Sequence, residues 1–543
     1  MSWTDRPAAE MAANTALGAV APQIRSLHGS TPDRIWGLVD ASSARHMALL
    51  TLGFLAFHLL LWTVLATVSH RAPPWDNVEQ LVWMQSLEWG YYKHPPFPTW
   101  WVHGWTSLLG RAMWVTFFAA QLSVVLMLFF VWRIALMVTS PARAFAAIVL
   151  TSLLIYHGVH GIMANHNTLQ LMPVGLLLWL GLLAVRDQQW WRWALVGAAA
   201  ALCLLAKYSA LIWLAVIGVW LLQDMRMRSW RAWGGVALAL AVCAVLVGPH
   251  IEWLIREGYP TLGYAGEAVQ GQHDTDTIGH WGRLWKFLVI QFGRALPTLI
   301  GLGLLYGLVR KAPRLIQPVA TQQAPEWRFV LYMAVGPVLL TAAMGVTGVR
   351  LGSAWAATFF VLFGVWAMRW IPPVAPARLV RAVILVGLVL EVLLASGMAV
   401  GSGWLVDWSG RPARSNFPGV ILGKQLDDVW QQHVKTPLRV VVGETWLAGN
   451  VSFRSKDKPM VFIDGDTQKS PWISSHMLRD CGALIVVDRR DFAAPMDPRV
   501  SELLDQAEFS GGLNIPWTRH ENGPRLEVEW AILPARHPQA CPA

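Results

Sequence analysis

"WALVGAAAALCLLAKYSALIWLAVIGVWLL", Trp193–Leu222, is the stretch whose reading decides this fold. It reads either as one very long apolar helix or as two short arms around a polar break at Lys207-Tyr208. The flanks choose between the two. Arg186 and Arg192 precede the stretch, and Arg226, Arg228 and Arg231 follow it. Basic residues in short loops mark the cytoplasmic side of a membrane. Both ends therefore belong on one side, and the chain must turn back on itself at Lys207. Each arm is short for a crossing that takes about 20 helical residues, so the turn is expected to lie against other helices.

Outward from that hairpin, the whole first part of the chain has membrane character. The chain has 543 residues, of which 55% are hydrophobic and 14% charged, against about a quarter charged in a typical soluble domain. The deficit ends near Trp404. Tryptophan, with 33 copies, suits the headgroup level. Apolar runs predict eleven spans, at 46–69, 112–139, 144–163, 169–185, 193–206, 208–223, 232–252, 284–309, 329–347, 351–368 and 382–404. The net charge of +10 does not indicate nucleic acid, because Arg and Lys sit in short loops between apolar runs. Residues 1–45 contain no apolar core of signal-peptide length, so the first span is expected to act as an uncleaved signal.

With the hairpin in place the orientation closes. Arg25, Arg34, Arg45, Arg143, Arg186–Arg192, Arg226–Arg231, Arg310–Arg314 and Arg369–Arg381 fall inside. The expected domains are a cytoplasmic segment 1–45, a transmembrane domain 46–404 with external loops 70–111 and 253–283, and a periplasmic α/β domain 405–543. In the last, "PLRVVVGETWLAGNVSF", "KPMVFID", "GALIVVDRR" and "RLEVEWAIL" read as strands, with a helix at 472–480, which predicts a small layer with a parallel sheet. No G-x-G-x-x-G follows any of them, so nucleotide binding has no support. Cys203 and Cys243 lie in spans as small apolar residues. Cys481 and Cys541 share the external domain, where an oxidising compartment permits a disulfide between them.

Most of the unusual polar residues then fall on the outer face. Asp76 and Glu79 stand in Asp-Asn-Val-Glu, the spacing of a helix-capping box. The helix that follows, 77–89, would carry Val78, Leu81, Val82 and Trp89 on one apolar face and lie along the interface. A capping carboxylate is also a well-fixed one, so capping and catalysis are compatible readings. Lys93-His94 precede Pro95-Pro96, which excludes helix there and stiffens the turn. Lys93 reads as a snorkelling lysine or as a phosphate contact. Lys207 is harder to dismiss, because a charge inside an apolar hairpin is costly unless something answers it. Asn165, His166 and Asn167 form a polar turn at another outer loop. Arg256, Tyr259, His273, Asp274, Asp276, His280 and Arg283 lie in the long loop, without metal-ligand spacing; no cofactor is required, and a divalent metal stays open. Arg294 and Glu391, both near mid-span, are expected to form an ion pair.

These stretches, taken in order, resemble a known family. "LEWGYYKHPP", "LCLLAKYSALIWL", "GPHIEWLIREGYPTLGY", "FLVIQFG" and "RLGSAWAATFF" look like the bacterial branch of glycosyltransferase family 39. That branch is similar to the protein O-mannosyltransferases and the lipid A aminoarabinose transferase, within the GT-C class of integral-membrane glycosyltransferases. The resemblance covers roughly residues 46–370. It implies an α-helical polytopic membrane fold and a sugar donor carried on a polyprenyl phosphate. Transfer would take place, with inversion, at the outer face of a bacterial cytoplasmic membrane. The family's catalytic carboxylate lies in the first external loop, which puts Asp76 in that role, with Glu79 the second carboxylate. Relatives often carry adjacent acids there and an Asp where Asn165-His166-Asn167 stand, and this chain departs from both patterns. Lys93, His94, Lys207, Tyr208 and Arg256 would hold the donor phosphate. Tyr92, the 165–167 turn, Tyr259 and Trp355 would line the sugar or acceptor pocket. A glycolipid, glycan or protein would accept the sugar. A transporter, or a lipid-glycan binding protein without catalysis, is the alternative; the absence of an internal repeat weighs against the first.

Overall fold

The computed structural model describes residues 43–270, 278–313, 325–489, 496–518, 520 and 522–541. His273, Asp274 and Asp276, and nearly all of the N-terminal segment, lie outside the described residues. Among the described residues seven helices are long and apolar enough to cross a membrane: α1 (Ala44–Ser69), α4 (Met113–Val138), the run His166–Asp187 that contains α6 (Leu171–Asp187), α9 (Trp230–Arg256), α11 (His280–Val309), α12 (Glu326–Val346) and the run Pro376–Ser409 that contains α13 (Pro376–Ala399). Between them come α2 (Trp75–Trp83), α3 (Phe97–Leu109), α5 (Pro141–Ser152), α7 (Trp190–Ala206), α8 (Ala210–Gln223) and α10 (Pro260–Gln270).

The hairpin forms at Lys207. Its backbone is extended, with φ −167° and ψ 141°, and ends α7. Helices α7 and α9 run the same way and touch near their starts: a Cβ on Gly197 would lie 2.3 Å from the Ala239 carbonyl oxygen, and one on Gly235 2.3 Å from the Trp193 ring. Helix α8 runs back from the tip and packs on α12, where Gly336 faces Val216. Its 14 residues rise about 21 Å, short of the hydrocarbon thickness, and neighbours cover the difference.

Two of the eleven expected spans are not continuous helices. The 144–163 run is helical only to Ser152 and then turns through residues 153–165. The 351–368 run breaks into Ser353–Thr358 and Phe363–Ala367. Both stretches are apolar because protein buries them, which hydropathy cannot distinguish from lipid. Their freed backbone groups find partners inside the bundle, as backbone at membrane depth must. Tyr156 Oη donates to Ser353 O at 2.7 Å, Gln291 Nε2 to Ser353 O at 3.1 Å, and Gln121 Nε2 to His157 O at 3.3 Å. Arg294 belongs to this knot, donating to Tyr156 Oη at 2.6 Å. The expected Arg294–Glu391 pair does not form. Glu391 accepts from Trp62 Nε1 at 2.9 Å and lies 3.2 Å from His58 Nδ1. The carboxylate found nearer partners on α1, and the guanidinium found its own in the 153–165 turns.

The first loop departs from its expected form in two ways. Pro74, not Asp76, occupies the N-cap of α2, with no side-chain cap, so the Asp76/Glu79 capping box is absent. Pro73-Pro74 already fixes where the helix starts, and Asp76 falls in its first turn. Helix α2 also ends at Trp83 and is not an interfacial helix over 77–89. Residues Asn77–Trp83 are all buried.

One face of α2 is buried by the C-terminal domain and the other by the helical part of the chain. Val78 and Val82 lie against Gly449, where a Cβ would come within 2.5 Å of Val78. Gly449 sits on α15 (Thr445–Arg454), which follows α14 (Gly419–His433). The domain's five-stranded sheet uses β1 (Val440–Gly443), β2 (Met460–Ile463), β3 (Ala483–Asp488), β4 (Phe509–Pro516) and β5 (Arg525–Leu533), in the order β2-β1-β3-β5-β4. Only β1–β2 and β1–β3 are parallel; β3–β5 and β4–β5 are antiparallel, so the sheet is mixed rather than parallel. Strand β4, "FSGGLNIP", was not expected; its inward positions alternate with exposed ones, but glycine at Gly511 and Gly512 weakens the apolar signal and only Ile515 is fully buried. The expected 472–480 helix is Ser475–Cys481, and Cys481 is bonded to Cys541. Gln85 of the first loop seals the β2 edge, accepting from Val461 N at 2.8 Å and donating to Pro459 O at 3.0 Å.

Candidate active site

Four segments bring their polar residues together where the first loop, the 153–169 turns, the hairpin tip and the C-terminal domain meet. The 153–169 turns are tied to α2 by Asn77, whose Oδ1 accepts from Ala164 N at 2.8 Å and whose Nδ2 donates to Thr116 Oγ1 at 2.9 Å. Asn165 caps the short helical turn His166–Leu169: its Oδ1 accepts from Asn167 N and Thr168 N, both at 3.0 Å. With the oxygen so engaged, the amide nitrogen must point the other way. There it donates to Asp76 Oδ2 at 2.7 Å. Two residues on, Asn167 Oδ1 accepts from Lys207 Nζ at 2.5 Å. One turn of chain thus places Asp76 on one side and Lys207 on the other.

Lys207 is fixed through its own backbone. Gln170 Nε2 donates to Lys207 O at 2.9 Å, and Ser209 Oγ donates to Gln170 Oε1 at 3.0 Å. Its ammonium lies 6.0 Å from the centre of the Trp355 ring. Among the described residues no carboxylate is paired with it. Burial brings its pKa down to about 8, with the Asp76 charge acting in the opposite direction. Lys93 is different. Burial pulls its pKa down too, but Glu79 Oε1, 2.6 Å away, more than reverses this and holds it above the ordinary lysine value. Glu79 is thereby the counter-ion of Lys93.

The aromatic wall is built from residues of both halves. The His94 and His166 rings lie 3.8 Å apart, with the Trp83 ring edge-on to both. Burial, then the nearby His166 and the two lysines, push the His94 pKa well below its usual value. It would meet a phosphate as a neutral hydrogen-bonding ring and not as a cation. Tyr264 of α10 lies over His94 at 5.4 Å and near Lys93 at 6.0 Å. Tyr92 lies under Lys93 at 5.2 Å and, from the C-terminal domain, Lys469 at 5.9 Å. Asp76, Tyr92, Lys93, His94, Asn165, Asn167, Lys207, Tyr264 and Trp355 are all partly accessible, while Asn77, Glu79 and His166 behind them are buried.

Not every expected residue arrives. Arg256 is exposed and pairs with its neighbour Glu257 at 3.2 Å. Tyr259 is exposed, with φ +61° at the start of the α10 segment. Tyr208 faces away from the cluster, its hydroxyl 2.8 Å from His250 Nε2 and 2.7 Å from Thr261 Oγ1; it braces the hairpin tip against α9 and α10. The residues that were not anticipated are Gln170, His250, Tyr264 and Lys469. Gln170, a long polar side chain at the head of an apolar run, was the one with a visible signal. Among the described residues no group of three His, Cys, Asp or Glu side chains is arranged to hold a metal ion.

Comparison with known proteins agrees with this architecture. A family described as dolichyl-phosphate-mannose-protein mannosyltransferase matches residues 93–253, a range that includes Lys93, the 165–168 turn and Lys207 but begins after Asp76. The lipid A galacturonosyltransferase RgtD of Rhizobium johnstonii is 22% identical over 357 residues, covering 60% of this chain and 67% of the relative. The lipopolysaccharide core galacturonosyltransferase RgtA of the same organism is 24% identical over 502 residues, 88% of this chain and 96% of its own. In fold, the chain matches ArnT from Cupriavidus metallidurans bound to undecaprenyl phosphate, with a TM-score of 0.56 at 16% identity, over 90% of this chain and 98% of that one.

Proposed function

We propose that this chain, which resembles family-39 glycosyltransferases in sequence and ArnT in fold, is a membrane glycosyltransferase of the GT-C class that moves a sugar from a polyprenyl phosphate to a hydroxyl of a glycolipid. Asp76 is the base in this reading, and the reaction inverts the anomeric carbon. The acceptor oxygen bonds to that carbon as the bond to the phosphate oxygen breaks. The hydroxyl proton goes to Asp76, and the polyprenyl phosphate leaves with the electron pair. A positioned base of this kind contributes typically 10²–10⁴-fold. Fixed positive charge where the leaving group gathers its own is the other requirement.

The observation that carries the reading is the Asp76–Asn165–Asn167–Lys207 chain of contacts. It sets a held carboxylate and an ammonium with only neutral partners on opposite sides of one turn. Lys207 is the principal phosphate contact, since Lys93 is already neutralised by Glu79. The carrier's isoprenoid tail would lie between spans, and the site with the C-terminal domain would face the periplasm, opposite the Arg-rich loops. Ligands named for relatives, undecaprenyl phosphate for ArnT and lipid A or lipopolysaccharide core for the two galacturonosyltransferases, are consistent with both substrates. The test is Asp76→Asn. Transfer should fall by about 10²–10⁴-fold while the protein still binds the polyprenyl-phosphate donor. Near-parental transfer would remove Asp76 as the base.

A further inference from the structure

The residue before Asp76 carries a cation on the face of α2 that meets the C-terminal domain, and no step proposed above uses it. Trp75, the residue before Asp76, stacks on Trp446 of α15, with ring centres 5.9 Å apart and planes at 4°. The Arg414 guanidinium lies 4.7 Å from the centre of the Trp75 ring and 5.8 Å from that of Trp446. The side chain is exposed, and among the described residues no carboxylate pairs with it. Its backbone is held, in contrast. Ser415 O accepts from Arg71 N at 2.6 Å, Ser415 Oγ donates to Ser402 O at 2.5 Å, and Asn416 Oδ1 accepts from Ala413 N at 2.9 Å and from Trp517 Nε1 at 2.7 Å. A guanidinium oriented by ring faces, and not by a carboxylate, keeps its fork of N–H donors for something else.

The surroundings say on which side of the reaction that something belongs. Successive residues of a helix lie about 100° apart, so Trp75, Val78 and Val82 form the ridge of α2 that meets the C-terminal domain, and Asp76 and Glu79 form the next. Arg414 therefore stands beside the carboxylate ridge on the domain side. The first turn of α15 continues this wall to Tyr92 through Thr445, and Lys469 closes it over Tyr92. A donor whose tail lies among the spans reaches Asp76 from the Lys207 side. The domain side is left to the acceptor.

We propose that Arg414, on its Trp75/Trp446 platform, selects the acceptor by binding a phosphate group on the saccharide head of the glycolipid, so that a nearby hydroxyl reaches Asp76. A guanidinium fork matches phosphate oxygens in pairs. The proposal deepens the function given above by naming the acceptor's chemistry, and its test needs no transfer.

The experiment measures equilibrium binding of two probes to the full-length chain in nanodiscs, without donor: lipid A with its phosphates intact, and the same lipid A after phosphatase treatment. The parent chain should bind the intact lipid about tenfold more tightly or better, the range of one charged hydrogen-bonding contact. Arg414→Ala should remove most of that preference and leave binding of the dephosphorylated lipid unchanged. Arg414→Gln, which keeps part of the stem over the rings, should do the same, which separates lost charge from lost packing. Equal affinity of the parent chain for the two lipids overturns the proposal, as does no binding of either. So does a preference that survives both substitutions. Because nothing is transferred, none of these outcomes depends on whether Asp76 is the base.

Discussion

The two lysines of the site come from regions built on opposite principles. Lys93 ends a proline-stiffened turn of the first loop and is answered by a carboxylate at 2.6 Å. Lys207 sits at the tip of an apolar hairpin and is answered by an amide oxygen and the face of an indole. A buried ion pair of the first kind brings little net charge to a ligand. An ammonium with neutral partners is costly in the empty protein, and the approach of an anion relieves that cost. Under the proposed function the difference suits them to separate tasks: Lys93 with Glu79 to hold the first loop's shape, and Lys207 to supply charge to the leaving phosphate.

The largest effect that tests this contrast is on stability. Glu79→Leu leaves the mostly buried Lys93 ammonium without its counter-ion, which should destabilise the protein by up to about 3 kcal/mol, the low end for a fully buried pair. The double variant Glu79→Leu/Lys93→Met replaces the pair by apolar groups and should recover most of the loss, as such replacements commonly do. Thermal unfolding of the purified protein reads both. A double variant as unstable as the single one would mean the pair does more than compensate itself. Transfer by the folded double variant should stay within a few-fold of the parent; its complete loss would return Lys93 to the phosphate site.

Next in size is Lys207→Met, which removes the charge and keeps most of the volume. One hydrogen bond to a charged group is worth about 1.5–3 kcal/mol, so kcat/KM for the donor should fall roughly 10–100-fold. Stability should hold or rise, since a charge with only neutral partners is gone. Steady-state kinetics against donor concentration decides it, and a smaller fall than in Lys93→Met would invert the ranking of the two lysines.

How much of this was legible in the sequence follows from what each feature depends on. The hairpin was legible because two independent signals, basic flanks and a polar break, act locally on the chain. That Asp76, Lys93, the 165–167 turn and Lys207 would share one face was legible for the same reason, through the alternation of spans and loops. Their pairings were not. Glu79 meets Lys93 fourteen residues away, and Asp76 meets Asn165 with α3, α4 and α5 between them in the chain. The Asp-x-x-Glu spacing pointed to a capping box, but Pro73-Pro74 had already set the start of the helix. Hydropathy also misread 153–163 and 351–368 as membrane helix, because packing against protein and packing against lipid both select apolar residues. Lys469, Trp446 and Arg414 carry no local signal; only the docking of the C-terminal domain brings them against Tyr92 and Trp75 of the first loop.

The smallest expected effect is the dependence on pH, and it sharpens the contrast most. Burial lowers the Lys207 pKa from its ordinary value to about 8. The ammonium is therefore mostly protonated at pH 7 and mostly neutral at pH 9. A group whose charge is needed to bind phosphate then loses that function as pH rises through about 8. Lys93, held above the ordinary lysine value by Glu79, does not titrate in this window. Donor kcat/KM, which reports ionisations of the free enzyme, should fall by up to about tenfold between pH 7 and pH 9. Lys207→Arg provides the control, because guanidinium stays charged throughout. Its profile should be flat over the same range, whatever its absolute level. A parent profile that is also flat would mean that Lys207 keeps its proton despite its neutral partners, and that the two lysines differ in position but not in state.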